Sequence, residues 1–157
     1  MSVASVDERL TELGVTLPES APPPLAIYKP AMRVGRFIYV SGQLPTRDGA
    51  VLHPGRLGDG VSIEQGQEAA RAAAINALAA AKGVLGSLDG VRVVRTVGYV
   101  ACAPDFDQHP AVVNGASALL RDVLGEDEGV GERLALGVSS LPLGAPVEIE
   151  ITFELKE

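Results

Sequence analysis

The 157-residue chain predicts an α+β domain in which two helices pack on one face of a single mixed β-sheet. Three observations carry that expectation. The segment "SIEQGQEAARAAAINALAAAKGVLGSL" puts Ala74, Ile75, Leu78, Ala81, Leu85 and Leu88 on one helical stripe. The stretch Val147 to Leu155 alternates without error: Val147, Ile149, Ile151, Phe153 and Leu155 share one face, and Glu148, Glu150, Thr152 and Glu154 share the other. The elements run strand, strand, helix, strand, helix, strand, strand, an order that folds helices onto one side of a shared sheet.

Residues 1–24 read as an extension ahead of a domain at 25–157. Ser5 and Glu8 have capping-box spacing, Leu10 and Leu13 follow at helical spacing, and "PESAPPP" then enforces extended chain. "RFIYVSGQLP" is β-branched and aromatic up to Ser41, then breaks at Gly42 and Pro45, so it reads as a buried strand ending in a turn. The Asp-Gly pair of "RDGAVLHPG" predicts a short strand around Ala50 to Leu52 folding back on it. Ser62 and Gln65 repeat the capping-box spacing at the start of the long helix, whose alanines let it lie close to a sheet. "VRVVRTVGYVA" reads as an interior strand, and "DQHPAVVNGASALLRDVLG" as a second helix from near Pro110 to before Gly125. "GEDEG" reads as a solvated loop. In the next strand Leu134, Leu136 and Val138 form the apolar face, with Arg133, Ala135 and Gly137 opposite.

Composition narrows the function classes. A hydrophobic content of 46% supplies a sizeable core, and 13 Lys and Arg against 20 Asp and Glu leave a net charge of -7. That balance opposes attraction to phosphate backbones and anionic lipid, so nucleic acid is an unlikely partner. No run reaches the roughly 20 apolar residues of a membrane span, and "MSVASVDERL" carries acids where a signal peptide needs basic residues, so a soluble cytoplasmic protein is expected. A single cysteine, Cys102, forms no internal disulfide and reads as packing at a strand end; His53 and His109, each before a proline, read as surface loop residues. No metal or cofactor is expected.

Two helices on one sheet face leave the other for solvent or a partner. Small and apolar strand positions on both sides favour a partner, hence a symmetric oligomer. Arg133 is expected to face carboxylates, with Ala135 and Gly137 leaving empty volume beside a planar fork that suits a small anionic ligand. A structural ion pair with a strand glutamate is the competing reading.

"YVSGQLP", "NGASALL", "RLALGVSSLP" and "VEIEITFEL", in that order, resemble the Rid family (YjgF-type, reactive intermediate deaminase) from about Tyr28 to Leu155. The extension with "GQEAARAAAINALA", "APDF" and "LPLGAPVEIE" is most similar to its longer subgroup. The resemblance implies a chorismate-mutase-like fold, a homotrimer and sites in clefts between subunits. It also warns against a simple hairpin of the last two strands, because the link "SSLPLGAP" is long enough for the final strand to insert elsewhere. By position it implies that Arg133 holds a ligand carboxylate and Glu148 positions water. The backbone at Ser41 and Gly42 contacts the ligand, and Tyr28 and Asn114 line the site. Ala135 stands where many deaminases have cysteine, Leu134 replaces a common serine, and Glu132 adds an acid beside Arg133.

The implied activity is hydrolysis of 2-aminoacrylate-type enamines and imines to 2-keto acid and ammonia, a reaction that needs positioning more than a metal or an activated nucleophile. Two alternatives remain: a non-catalytic trimer that binds a keto-acid-like anion, and a ribonuclease, which the acidic balance and the absence of a basic stripe disfavour.

Overall fold

A computed structural model describes residues 2–157. Its first helix, α1 (Val6–Glu12), starts at the expected capping box: the Ser5 hydroxyl accepts from the Glu8 N–H, and the Glu8 carboxylate accepts from the Ser5 N–H. Val6 and Leu10 are buried with Val15 in the main core, so α1 packs on the domain. Strands β1 (Ala31–Val34) and β2 (Phe37–Gln43) form a hairpin. Strand β3 (Thr46–Arg47) pairs with β4 (Ala50–Val51) around Asp48 and Gly49, whose positive φ angles of 52° and 81° are the backbone an Asp-Gly turn selects. The partner of the Ala50 strand is therefore the two-residue β3, not the long strand before it. A two-strand ladder of β5 (Arg56–Leu57) and β6 (Gly60–Val61) leads into α2 (Ile63–Leu85), which opens on the second expected capping box.

Strand β7 (Val91–Ala101), helix α3 (His109–Leu124), a single turn α4 (Glu126–Gly129), strand β8 (Glu132–Val138), a 3-10 turn at Pro142–Gly144 and strand β9 (Val147–Leu155) complete the chain. The segment "GEDEG" is thus helical rather than a loop, and Gly129 is buried at its end. The short strand β1 is an addition to the elements legible in the sequence.

The five long strands lie in the order β1-β2-β9-β7-β8, with β7 and β8 parallel and the other pairs antiparallel. The final strand inserts between β2 and β7, so β8 is left at the edge. Helices α2 and α3 cover one face. Ile149, Ile151 and Phe153 are fully buried under them, each contributing about 1.5–3 kcal/mol relative to exposure. Ala70, Ala73, Ala74, Ala77 and Ala81 are fully buried on α2, which brings its backbone near β2 and β9. The other face carries Met32, Val34, Tyr39 and Leu134, each about half exposed, among Arg92, Arg95, Glu148 and Glu150.

The strand pairings correct the expected faces of β8. Arg133 sits beside Thr96, which sits beside the buried Ile151, so Arg133, Ala135 and Gly137 point toward the helices. Leu134, Leu136 and Val138 point to the uncovered face, and Leu134 is 46% exposed. Alternation separates two faces, but on an edge strand beyond the centre of the helix layer the apolar face need not be the one under the helices.

Candidate active site

Arg133 projects from the edge strand against the first turns of α3. Its Nη1 donates to Asn114 Oδ1 at 2.7 Å and Ser117 Oγ at 3.2 Å, and its Nη2 donates to the Pro110 carbonyl at 3.4 Å. Asn114 and Ser117 are three residues apart, the spacing that puts two side chains on one helix face. These contacts engage Nη1 and Nη2 and leave the Nε–H without a partner among the described residues, on the side of the fork where a carboxylate can bind side-on.

The expectation that Arg133 faces carboxylates is not met, since its partners are all neutral. Among the described residues it forms no ion pair; Glu132, its acidic neighbour, turns to the other face and pairs with Arg95 at 3.2 Å. The side chains of Thr96, Asn114, Ser117, Arg121, Glu126 and Arg133 border a cleft of about 430 Å³.

The space beside Gly137 is not empty either. A Cβ there would collide with His109 Nε2 and Cys102 Sγ, which lie 3.4 Å apart. His109 is consequently the first residue of α3, half-buried edge-on to Phe106, rather than a surface loop residue. Ala135 is partly buried against the core.

Glu148 lies at a second pole. It belongs to β9 on the uncovered face, beside Tyr99. Burial, and then the nearby Glu150 charge, raise its carboxyl above the ordinary 4.5. Tyr99 donates to Glu150 at 3.4 Å, and burial followed by that carboxylate pushes the phenol up as well. The Glu148 carboxylate rests on Gly42, where any Cβ would collide with Oε1. Ser41 and Gly42 fall in a bulge of β2, between Val40 and Gln43, where the register against β9 shifts. Ser41 is tied down on both sides: its hydroxyl donates to the Lys29 carbonyl at 2.6 Å and its N–H to the Pro30 carbonyl at 2.9 Å. Tyr28 is 45% exposed, its hydroxyl accepting from the Leu25 N–H, and it shares a small cleft with Gly42.

The structure therefore brings the sequence-selected residues together in two groups. Tyr28, Ser41, Gly42 and Glu148 lie around the β2 bulge, and Asn114, Ala135 and Arg133 lie at the β8 edge under α3. Arg133 and Glu148 are on opposite faces. The residue of β8 level with Glu148 across β7 is Leu136, three positions from Arg133 and so about 10 Å further along the strand. Sequence reading missed Thr96 and Ser117; the spacing of Asn114 and Ser117 was the available signal. Among the described residues, no group of three or more His, Cys, Asp and Glu side chains is arranged to hold a metal.

A five-stranded mixed sheet with two helices on one face, its last strand inserted between the second and third, defines a chorismate-mutase-like α+β architecture. Residues 7–154 match the family described as "YjgF/chorismate_mutase-like, putative endoribonuclease", and the chain belongs to that YjgF/Rid family. The match begins inside α1, upstream of the motifs that carry the resemblance in the sequence.

The chain is 40% identical to Protein TCP17 of Trypanosoma cruzi, over 96% of this chain and 94% of that one. The protein Atu1372 of Agrobacterium tumefaciens, of unknown function, superimposes with a TM-score of 0.88 at 41% identity, over 96% of this chain and 92% of that one. A Shewanella oneidensis protein described as a putative endoribonuclease has a TM-score of 0.91 at 31% identity, over 97% and 100% of the two chains. RidA from the Antarctic bacterium Psychrobacter sp. is more distant, with a TM-score of 0.57 at 26% identity over 87% and 95%. No helix among the described residues is long and apolar enough to cross a membrane.

Proposed function

We propose that this protein is an enamine/imine deaminase that converts 2-aminoacrylate-type intermediates to 2-keto acid and ammonia at clefts between the subunits of a homotrimer. One observation carries the reading: a guanidinium that pairs with no carboxylate among the described residues and a desolvated carboxyl lie on opposite faces of one sheet. A site that uses both groups has to draw them from two copies of the chain. The half-exposed Met32, Val34, Tyr39 and Leu134 on the uncovered face supply apolar surface for that assembly. Membership of the family that includes RidA supports the same assignment.

Arg133 clamps the substrate carboxylate through the Nε and Nη2 side of its fork, while Asn114 and Ser117 hold the fork in place. The enamine takes a proton on carbon to become an imine. Water then attacks the imine carbon and gives a proton to Glu148, which passes it to nitrogen, forming a neutral carbinolamine. Glu148 next takes the carbinolamine hydroxyl proton and delivers it to nitrogen as the C–N bond breaks, and ammonia and the 2-keto acid leave. A carboxyl held above its ordinary range is a stronger base, and therefore suits this exchange. Tyr28 and the backbone at Ser41 and Gly42 hold the amino end, and Ala135 lines the floor.

The test is release of ammonia and keto acid from enamines generated in situ, comparing wild type with Arg133→Ala. Acceleration by the wild type that is lost in the variant is the expected result. Affinity for a keto acid with no acceleration from any enamine would instead make the protein a small-anion binder. A ribonuclease would require RNA binding that weakens with salt, which the charge of -7 opposes.

A further inference from the structure

A cavity of about 620 Å³ lies where the Pro-rich segment after α1 crosses α2 and the β3–β4 hairpin. Its size falls in the range of small-molecule sites. It adjoins the small cleft of Tyr28 and Gly42: Pro22, Pro23, Leu25, Thr46 and Leu143 line both. Its walls are mainly apolar, with Leu17 and Ala21 on one side and Ala72 and Ile75 of α2 on the other. Arg47 also borders it but is 3.8 Å from Glu68, which draws its charge toward α2.

One polar group in the wall is unusual. Asn76, 4% exposed, donates from Nδ2 to the Leu44 carbonyl, the Thr46 carbonyl and Thr46 Oγ1, each at 3.0 Å. Three acceptors fix the orientation of the amide, because a reversed carboxamide would set its oxygen against them. Its Oδ1 takes no hydrogen bond from the described residues, and no side-chain polar atom among them is both sealed from solvent and unpartnered, so this oxygen reaches the cavity surface. A buried amide acceptor in a mainly apolar wall suits a ligand with an apolar body and a hydrogen-bond donor.

We infer that this cavity is the side-chain subsite of the deaminase, and that the preferred substrates are 2-imino acids with a large aromatic side chain, most favourably one bearing a hydroxyl or ring N–H that reaches Asn76. The inference rests on the proposed deaminase reading. With the reacting carbon near Glu148, the side chain passes Tyr28 and Gly42 and enters between Leu25 and Leu143. Those two residues are 60% and 63% exposed, so they can be changed without opening the core.

The experiment compares kcat/KM for imines generated from alanine, phenylalanine and tyrosine by an amino-acid oxidase, in wild type, Leu25→Asp and Leu143→Asp. A carboxylate at either position is expected to lower kcat/KM for the aromatic imines at least 10-fold and to leave the alanine-derived imine within about 2-fold, with the wild type preferring the aromatic imines. No aromatic preference in the wild type, or a ratio unmoved by both variants, overturns the inference. If no imine is accelerated, the deaminase reading fails by itself. Calorimetric binding of phenylpyruvate against pyruvate then decides the subsite: tighter phenylpyruvate binding that both variants weaken supports it, and equal binding overturns it.

Discussion

The Arg133 pole and the Glu148 pole solve opposite electrostatic problems. Arg133 stays exposed at a sheet edge, and its fork is oriented by neutral oxygens from one helix face, so its charge is positioned without being neutralised. Glu148 sits on a central strand among other side chains, where burial and Glu150 oppose its ionisation. A cation kept in its charged form is suited to binding an anion, and an acid held away from its ordinary protonation balance is suited to moving protons. One chain carries both, but on opposite faces, so the proposed site needs each pole from a different copy.

The contrast predicts different kinetic signatures. Glu148→Gln preserves shape and removes the base, and is expected to reduce kcat on the order of 100 to 10,000-fold with little change in KM. A kcat within threefold of wild type would remove Glu148 from proton transfer. Arg133→Lys keeps the charge but loses the side-on fork, and is expected to raise KM about 10 to 100-fold while kcat falls less. If Arg133→Lys and Glu148→Gln gave the same kcat and KM pattern, the division of labour between the poles would be wrong.

Gly42→Ala tests how the base is placed. The added methyl collides with the Glu148 carboxylate, so turnover is expected to drop about 10-fold, up to 100-fold, as the base is displaced. Gly42 lacks the positive φ that would make alanine a strained residue, so the fold should tolerate the change. Circular dichroism showing unfolding rather than a local loss of activity would refute that account.

The smallest expected effect is on stability. A carboxyl whose pKa is raised on folding binds its proton more tightly in the folded chain, so its penalty is absent well below 4.5, grows as pH rises through the raised value, and is constant above it. Glu148→Gln removes that penalty. The variant should therefore melt with the wild type near pH 4 and up to about 2 °C above it at pH 7, and the opposite order would contradict the assigned environment.

Much of the fold was legible locally. Both capping boxes form as spaced, α2 follows its alanine stripe, and β9 keeps its two faces, because each of these features depends on contacts within a few residues. What went unread depends on distant chain. Strand β1 is only four residues and gains its partner from the Phe37–Gln43 hairpin arm. The Cys102–His109 contact is made possible by Gly137, from a third element, and neither neighbouring sequence announces it.

The candidate site divides along the same line. The motifs around Ser41, Gly42, Asn114, Arg133 and Glu148 single out residue types suited to a carboxylate and a proton, and sequence periodicity placed Leu134, Leu136 and Val138 on the face away from Arg133. By itself the sequence determined which residues share a face, since that follows from a period of two, and its family motifs picked out the residues proposed to carry chemistry. Only the tertiary structure decided which face lies under the helices and that Arg133 and Glu148 lie apart, because the insertion of β9 between β2 and β7 is set by long-range pairing.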